Sequence, residues 1–245
     1  MDTTTLLMPL AVFVLAGVVK GVVGLGLPTV AMALLALTMT PAQAAALLIV
    51  PSLVTNLWQL RPWHTLGTLL RRLVAMQAGV CVGTLAGAWW MGAPAGPWAG
   101  MALGVALLAY GFWSLAGFTP TLTPRAQRLL GPVAGALTGL VTAATGVFVV
   151  PAVPYLQALR LERDTLVQAM GLSFTVSTLA WAIGLRINGV ATSSVLGPSL
   201  LMLPAALLGM ALGQRLRQRM APVLFRRCFL GALMLLGLYL VVRAV

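Results

Sequence analysis

Lys20 is the chain's single lysine, and it lies in an apolar run one residue ahead of Gly21-Val22-Val23-Gly24-Leu25-Gly26-Leu27-Pro28. A charge at membrane depth is expensive and by default marks a functional site, unless its aliphatic stem lets it reach an interface. An ammonium beside the N–H groups of a helix start suits an anion. Glycines let backbone approach a ligand closely, and Pro28 can occupy a first helical turn, where its missing N–H costs little. A second interrupted stretch runs from Thr142 through Thr145 and Gly146 to Pro151. Ser52, Thr55 and Asn56 follow the first stretch, and Ser173, Thr175, Ser177 and Thr178 follow the second. Their hydroxyls and amide can meet anion oxygens or bond their own backbone. The expected binding set is Lys20 as the main positive charge, with Gly21, Gly24, Gly26, Pro28, Thr142, Thr145 and Gly146 from the interruptions. Ser52, Asn56 and Thr175 are the neutral donors.

What is missing narrows the chemistry. The only acids are Asp2, Glu162 and Asp164, all at ends or connections, so no carboxylate relay of the kind pumps use lies at membrane depth. Paired carboxylates, a metal cluster, a phosphate-binding loop and a dinucleotide fingerprint are absent. No cofactor or metal is implied, and the chain does not read as an enzyme. Cys81 and Cys228 fit no disulfide or metal spacing and read as small apolar residues. His64, beside Trp63, reads as an interfacial side chain. Gly79, Gly83 and Gly87 recur every four residues, as in close helix packing.

The elements that must hold these residues follow from composition. Of 245 residues, 60% are hydrophobic and 7% charged, with a formal net charge of +12. A mean hydropathy of +1.02 excludes a soluble globular domain, which carries about 25% charged residues. A nucleic-acid binder gathers its basic residues on one hydrated face, whereas here they punctuate long apolar runs. The fold class expected is an all-α polytopic membrane protein in the lipid bilayer. No cleaved signal peptide is expected at the start, where Asp2 is the only early charge. The apolar blocks are 6–38, 42–60, 73–91, 97–117, 129–159, 164–185, 193–213 and 224–242. Blocks 6–38 and 129–159 are too long for one span of about 20 residues and too short for two. Both are interrupted inside, which predicts hairpins of short or broken helices whose freed polar groups face protein or a watery cavity.

Charge supplies a direction. Arg61, His64, Arg71 and Arg72 occupy one connection, Arg125 and Arg128 another, and Arg215 to Arg227 a third, whereas 92–97 carries none. Basic connections stay cytoplasmic, placing 61–72, 118–128, 160–164 and 214–227 inside, and 92–97 and 186–192 outside. Block 129–159 must then cross an even number of times, as a hairpin does. The chain also repeats weakly. Pro28 and Pro151, Ser52 and Thr175, Thr55 and Thr178, and Trp58 and Trp181 are each 123 residues apart. Gly83 and Gly209, Gly87 and Gly213, and Gly111 and Gly237 are each 126 apart. The basic loops of one half correspond to nearly uncharged loops of the other. This predicts two inverted repeats, 1–117 and 129–245, joined by the basic connection 118–128, with a site between them. Trp58 and Trp181 are expected as interfacial anchors.

Gly17-Val-Val-Lys20-Gly21-Val-Val-Gly24-Leu-Gly26-Leu-Pro28, followed by Pro41-Ala-Gln-Ala-Ala-Ala-Leu, resembles the first repeat of TauE/SafE-type membrane transporters. Gly135 to Pro151, then Asp164 to Thr178, is similar to the second repeat, although Thr-Ala-Ala-Thr-Gly-Val-Phe is poorer in glycine than the family pattern. The resemblance covers essentially the whole chain. It implies a multi-pass protein of the cell membrane, the inner membrane in a bacterium, exporting a small organosulfur anion such as sulfite or a sulfonate. An anion channel and a non-transporting scaffold or receptor stay open as alternatives, and so does a homo-oligomer as the working form.

Overall fold

The computed structural model describes residues 3–117, 120–190, 193–218 and 222–244. Among them are ten helices and no strand: α1 (Thr3–Val23), α2 (Leu27–Leu35), α3 (Pro41–Trp58), α4 (Trp63–Met91), α5 (Gly96–Ala116), α6 (Pro124–Thr145), α7 (Ala152–Ala158), α8 (Arg163–Ile187), α9 (Ser193–Arg217) and α10 (Pro222–Ala244). Seven of these are long and apolar enough to cross a bilayer. With the bilayer as solvent, backbone groups must be satisfied inside each segment, so helices are the form available. α6 is as long but lies outside the seven, since Arg125, Gln127, Arg128 and three threonines lower its apolarity. Exposed tryptophans stand near both ends of the bundle, Trp58 and Trp63 at one and Trp89, Trp90 and Trp98 at the other, as interfacial belts do.

Both long apolar blocks are broken. α1 stops at Val23 and α2 starts at Leu27. Gly24 and Gly26 take φ values of +86° and +106°, a left-handed backbone that glycine adopts without steric cost. α2 then runs back along α1, bringing Thr38 Oγ1 to 3.6 Å from Met8 Sδ. In the second block, Gly146 ends α6 at φ +68° and α7 begins at Ala152. Tyr155 Oη reaches back to donate to Gln127 O at 2.9 Å. The first break is shorter than the run Gly21–Pro28 suggested. Gly21 is still helical, and an ideal Cβ on it would lie 2.3 Å from Met210 O; it serves close packing of α1 on α9.

The closest helix pairs are parallel. Gly209 and Gly213 of α9 lie against Val14 and Val18 of α1, where a Cβ would meet the carbonyls at 2.1 and 2.2 Å. Gly79 and Gly83 of α4 meet Pro132 O and Ala136 O of α6 in the same way, at 2.3 and 2.1 Å. Only a missing side chain permits such approach. Further pairings join α3 to α8 and α9, α4 to α8, and α5 to α10.

Helices reach further than the apolar blocks did. α4 starts at Trp63, so His64, Arg71 and Arg72 stand on its first turns, not in a connection. Arg125 and Arg128 begin α6, and Arg215 and Arg217 end α9. Long basic side chains let a helix continue into the interface while their charges stay hydrated. Inside α3, Pro51 has no N–H for Leu47 O. Ser199 Oγ of α9 donates to that carbonyl at 2.9 Å instead.

Candidate functional site

Lys20 lies in the last turn of α1 and is 2% exposed. Its ammonium donates to Thr55 Oγ1 at 3.1 Å and to Asn56 Oδ1, both on α3. Two of its three N–H donors are therefore used. Asn56 Nδ2 faces Thr178 Oγ1 of α8 at 3.4 Å, and Thr178 in turn donates to Phe174 O at 2.7 Å. One polar chain thus links α1, α3 and α8 around a buried cation.

Lys20 forms the buried end of a cavity of about 510 Å³, which Gly21, Gly24 and Gln59 also line. Towards its open end the walls carry Trp58, Arg61, Arg163, Arg217 and Arg226. Among the described residues, no carboxylate lines it. The Arg61 guanidinium stacks 4.2 Å above the Trp58 ring, and Arg226 donates to Ser114 Oγ at 2.9 Å. The first break is pinned at the cavity wall, where Gln59 Nε2 donates to Gly24 O. Four guanidinium groups and one ammonium around a pocket can attract anions and can offer them charge-assisted hydrogen bonds.

The other expected site residues fall elsewhere. Gly26 and Pro28 open α2 but do not line the cavity. Ser52 is buried, its hydroxyl without a partner among the described residues. Thr142, Thr145, Gly146 and Thr175 are also outside the cavity lining. Thr142 Oγ1 donates to Thr138 O at 2.7 Å, and Thr175 Oγ1 to Gly171 O at 2.7 Å. Thr145 Oγ1 donates to Val141 O at 2.6 Å and accepts from Val147 N at 3.1 Å. These hydroxyls close helix backbone and the second break.

Trp181 departs from the interfacial anchor expected of it. It is 1% exposed, and its ring fills the space against Gly146, where a Cβ would lie 2.4 Å from the indole. Phe148 meets it edge-on at 5.7 Å between centroids. Trp58, the residue 123 positions earlier, is 53% exposed and keeps the anchor's place.

A family model for the sulfite exporter TauE/SafE matches residues 9–240. The chain belongs to the TauE/SafE family. Among curated proteins and solved structures, nothing matches it. This is a family of membrane transporters, not of enzymes, and the seven candidate spans make this TauE/SafE member a multi-pass membrane protein. Sequence reasoning missed the mouth of the cavity. Gln59 and Arg61 come from the turn between α3 and α4, and Arg163, Arg217 and Arg226 from three helix ends. The signal available for the four arginines was charge next to a helix boundary, which served only as a sign of sidedness.

Proposed function

We propose that this TauE/SafE protein is a secondary transporter that exports a small anion, an organosulfur oxyanion such as sulfite or a sulfonate, by alternating access. The observation that carries the reading is the buried Lys20 at the end of a cavity with four arginines and no carboxylate among its described lining residues. That cavity opens at the end where the basic helix termini gather, the cytoplasmic end by the positive-inside rule. An exporter loads its substrate from there. Lys20 is the main positive charge, Gly24 lets the anion approach backbone, and Asn56 and Thr55 orient the ammonium.

The two-repeat reading, 1–117 and 129–245 about the connection 118–128, has support from helix order and pairing. Each half runs as a long helix, a break, a short helix and three long helices. Exchanging the halves turns the α1–α9 pairing into α6–α4, turns α3–α9 into α8–α4, and leaves α3–α8 and α5–α10 in place. Such exchange is the layout of transporters whose halves rock about a central site. The polar chain from Lys20 to Thr178 lies where α3 and α8 cross. Trp181, one turn further along α8, is buried and packs edge-on against Phe148. This suits a carrier open on one side more than a pore.

Flux into proteoliposomes tests the proposal. Sulfite or sulfonate transport is expected to saturate with concentration and to show counterflow. Ohmic single-channel current, or no flux with any of sulfite, thiosulfate, sulfonates and carboxylates, would overturn it.

A further inference from the structure

A second basic cavity, of about 470 Å³, lies apart from the first, between the starts of α4 and α6 and the short α7. Arg71 and Arg72 line it from α4, and Gln127 and Arg128 from α6. Tyr155 of α7 joins them, its hydroxyl held on Gln127 O. Among the described residues, no acidic residue lines it. Guanidinium forks match phosphate oxygens two at a time, so three arginines suit one or two phosphate groups.

The flanks of the cavity say what carries the phosphate. Val74, Ala75 and Met76 form its apolar wall. Leu70, Val74 and Val82 on α4 are exposed, and so are Leu129, Leu130, Val133 and Leu137 on α6. The last three recur at i, i+3 and i+7, so they share one helix face leading from Arg128 towards membrane depth. A soluble anion has no use for such lanes, whereas acyl chains do. Deeper in, Gly79 and Gly83 bring α4 onto α6 with no room between them, so chains must lie on the outer surface. Basic pockets between helices at the cytoplasmic side are a recognised form of lipid headgroup site.

We propose that this cavity binds the phosphate headgroup of an anionic phospholipid, whose chains lie along α4 and α6 and so bridge the two helices. The proposal is independent of which anion the Lys20 cavity takes.

Native mass spectrometry of the protein in mild detergent, titrated with phosphatidylglycerol, cardiolipin or phosphatidylcholine, tests it. Wild type is expected to retain the two anionic lipids in preference to phosphatidylcholine. The triple variant Arg71→Gln, Arg72→Gln, Arg128→Gln is expected to bind them at least tenfold more weakly. The corresponding triple lysine variant should fall between, and Arg125→Gln, which is outside the lining, should match wild type. Equal retention of phosphatidylcholine, or undiminished binding by the glutamine variant, would overturn the proposal. So would displacement of the lipid by millimolar inorganic phosphate, which would make this a site for free anions. If the glutamine variant does not fold, thermal unfolding of wild type decides. A rise in Tm with the anionic lipids over phosphatidylcholine is expected, and equal Tm values count against the site.

Discussion

The two broken stretches occupy corresponding places in the chain and are built in opposite ways. At the first, the residues are Lys20, Gly24 and Gly26; 123 positions on, they are Ala143, Val147 and Val149. The first break borders a cavity with a buried ammonium, and its free carbonyl at Gly24 is taken by Gln59. The second is packed by Trp181 and Phe148 and closed by its own threonine hydroxyls. Interrupting a membrane helix therefore does not by itself make a binding site. It frees backbone polar groups, and the neighbouring side chains decide whether a cavity stays open beside them or packing closes over them.

Stability of tryptophan variants separates the two breaks most strongly. Trp181→Ala empties a fully packed space and is expected to cost about 3–5 kcal/mol. Trp58→Ala removes an exposed ring and its contact with Arg61, at an expected cost of about 0.5–1 kcal/mol. Thermal or denaturant unfolding in detergent measures both, and equal losses would dissolve the contrast. Glycine variants probe the same difference on a smaller scale. Gly24→Ala meets open space at positive φ, so it should cost only the backbone strain of about 1–2 kcal/mol. Gly146→Ala adds a clash with the Trp181 ring at 2.4 Å and should lose clearly more than Gly24→Ala in the same assay. A larger loss at Gly24 would reverse the assignment of packed and open breaks.

Much of this was legible from residue types. Block length and the Gly/Pro interruptions predicted two breaks, and the lone lysine pointed to the first of them. The four-residue spacing of Gly79, Gly83 and Gly87 predicted close packing, and those positions do meet α6. Hydropathy could not show where α4 or α9 ends, because arginine stems extend a helix past its apolar stretch. Nor could it separate Trp58 from Trp181. Both are one turn beyond a hydroxyl-bearing stretch, and it takes the long-range approach of Gly146 and Phe148 to cover the second indole. The threonines of the second break read as ligand donors because a sequence does not reveal that a hydroxyl is already bonded to its own helix.

The central claim is that the buried charge of Lys20 holds the transported anion. Binding of sulfite to purified wild type, Lys20→Ala and Lys20→Arg, followed by anion-dependent thermal shift at matched folding, tests it most directly. Removing one charge-assisted contact of about 1.5–3 kcal/mol should raise the apparent Kd at least tenfold in Lys20→Ala. Lys20→Arg should be intermediate, because a guanidinium keeps the charge but not the compact shape. A wild-type Kd in Lys20→Ala would contradict the account and remove the lysine from the site.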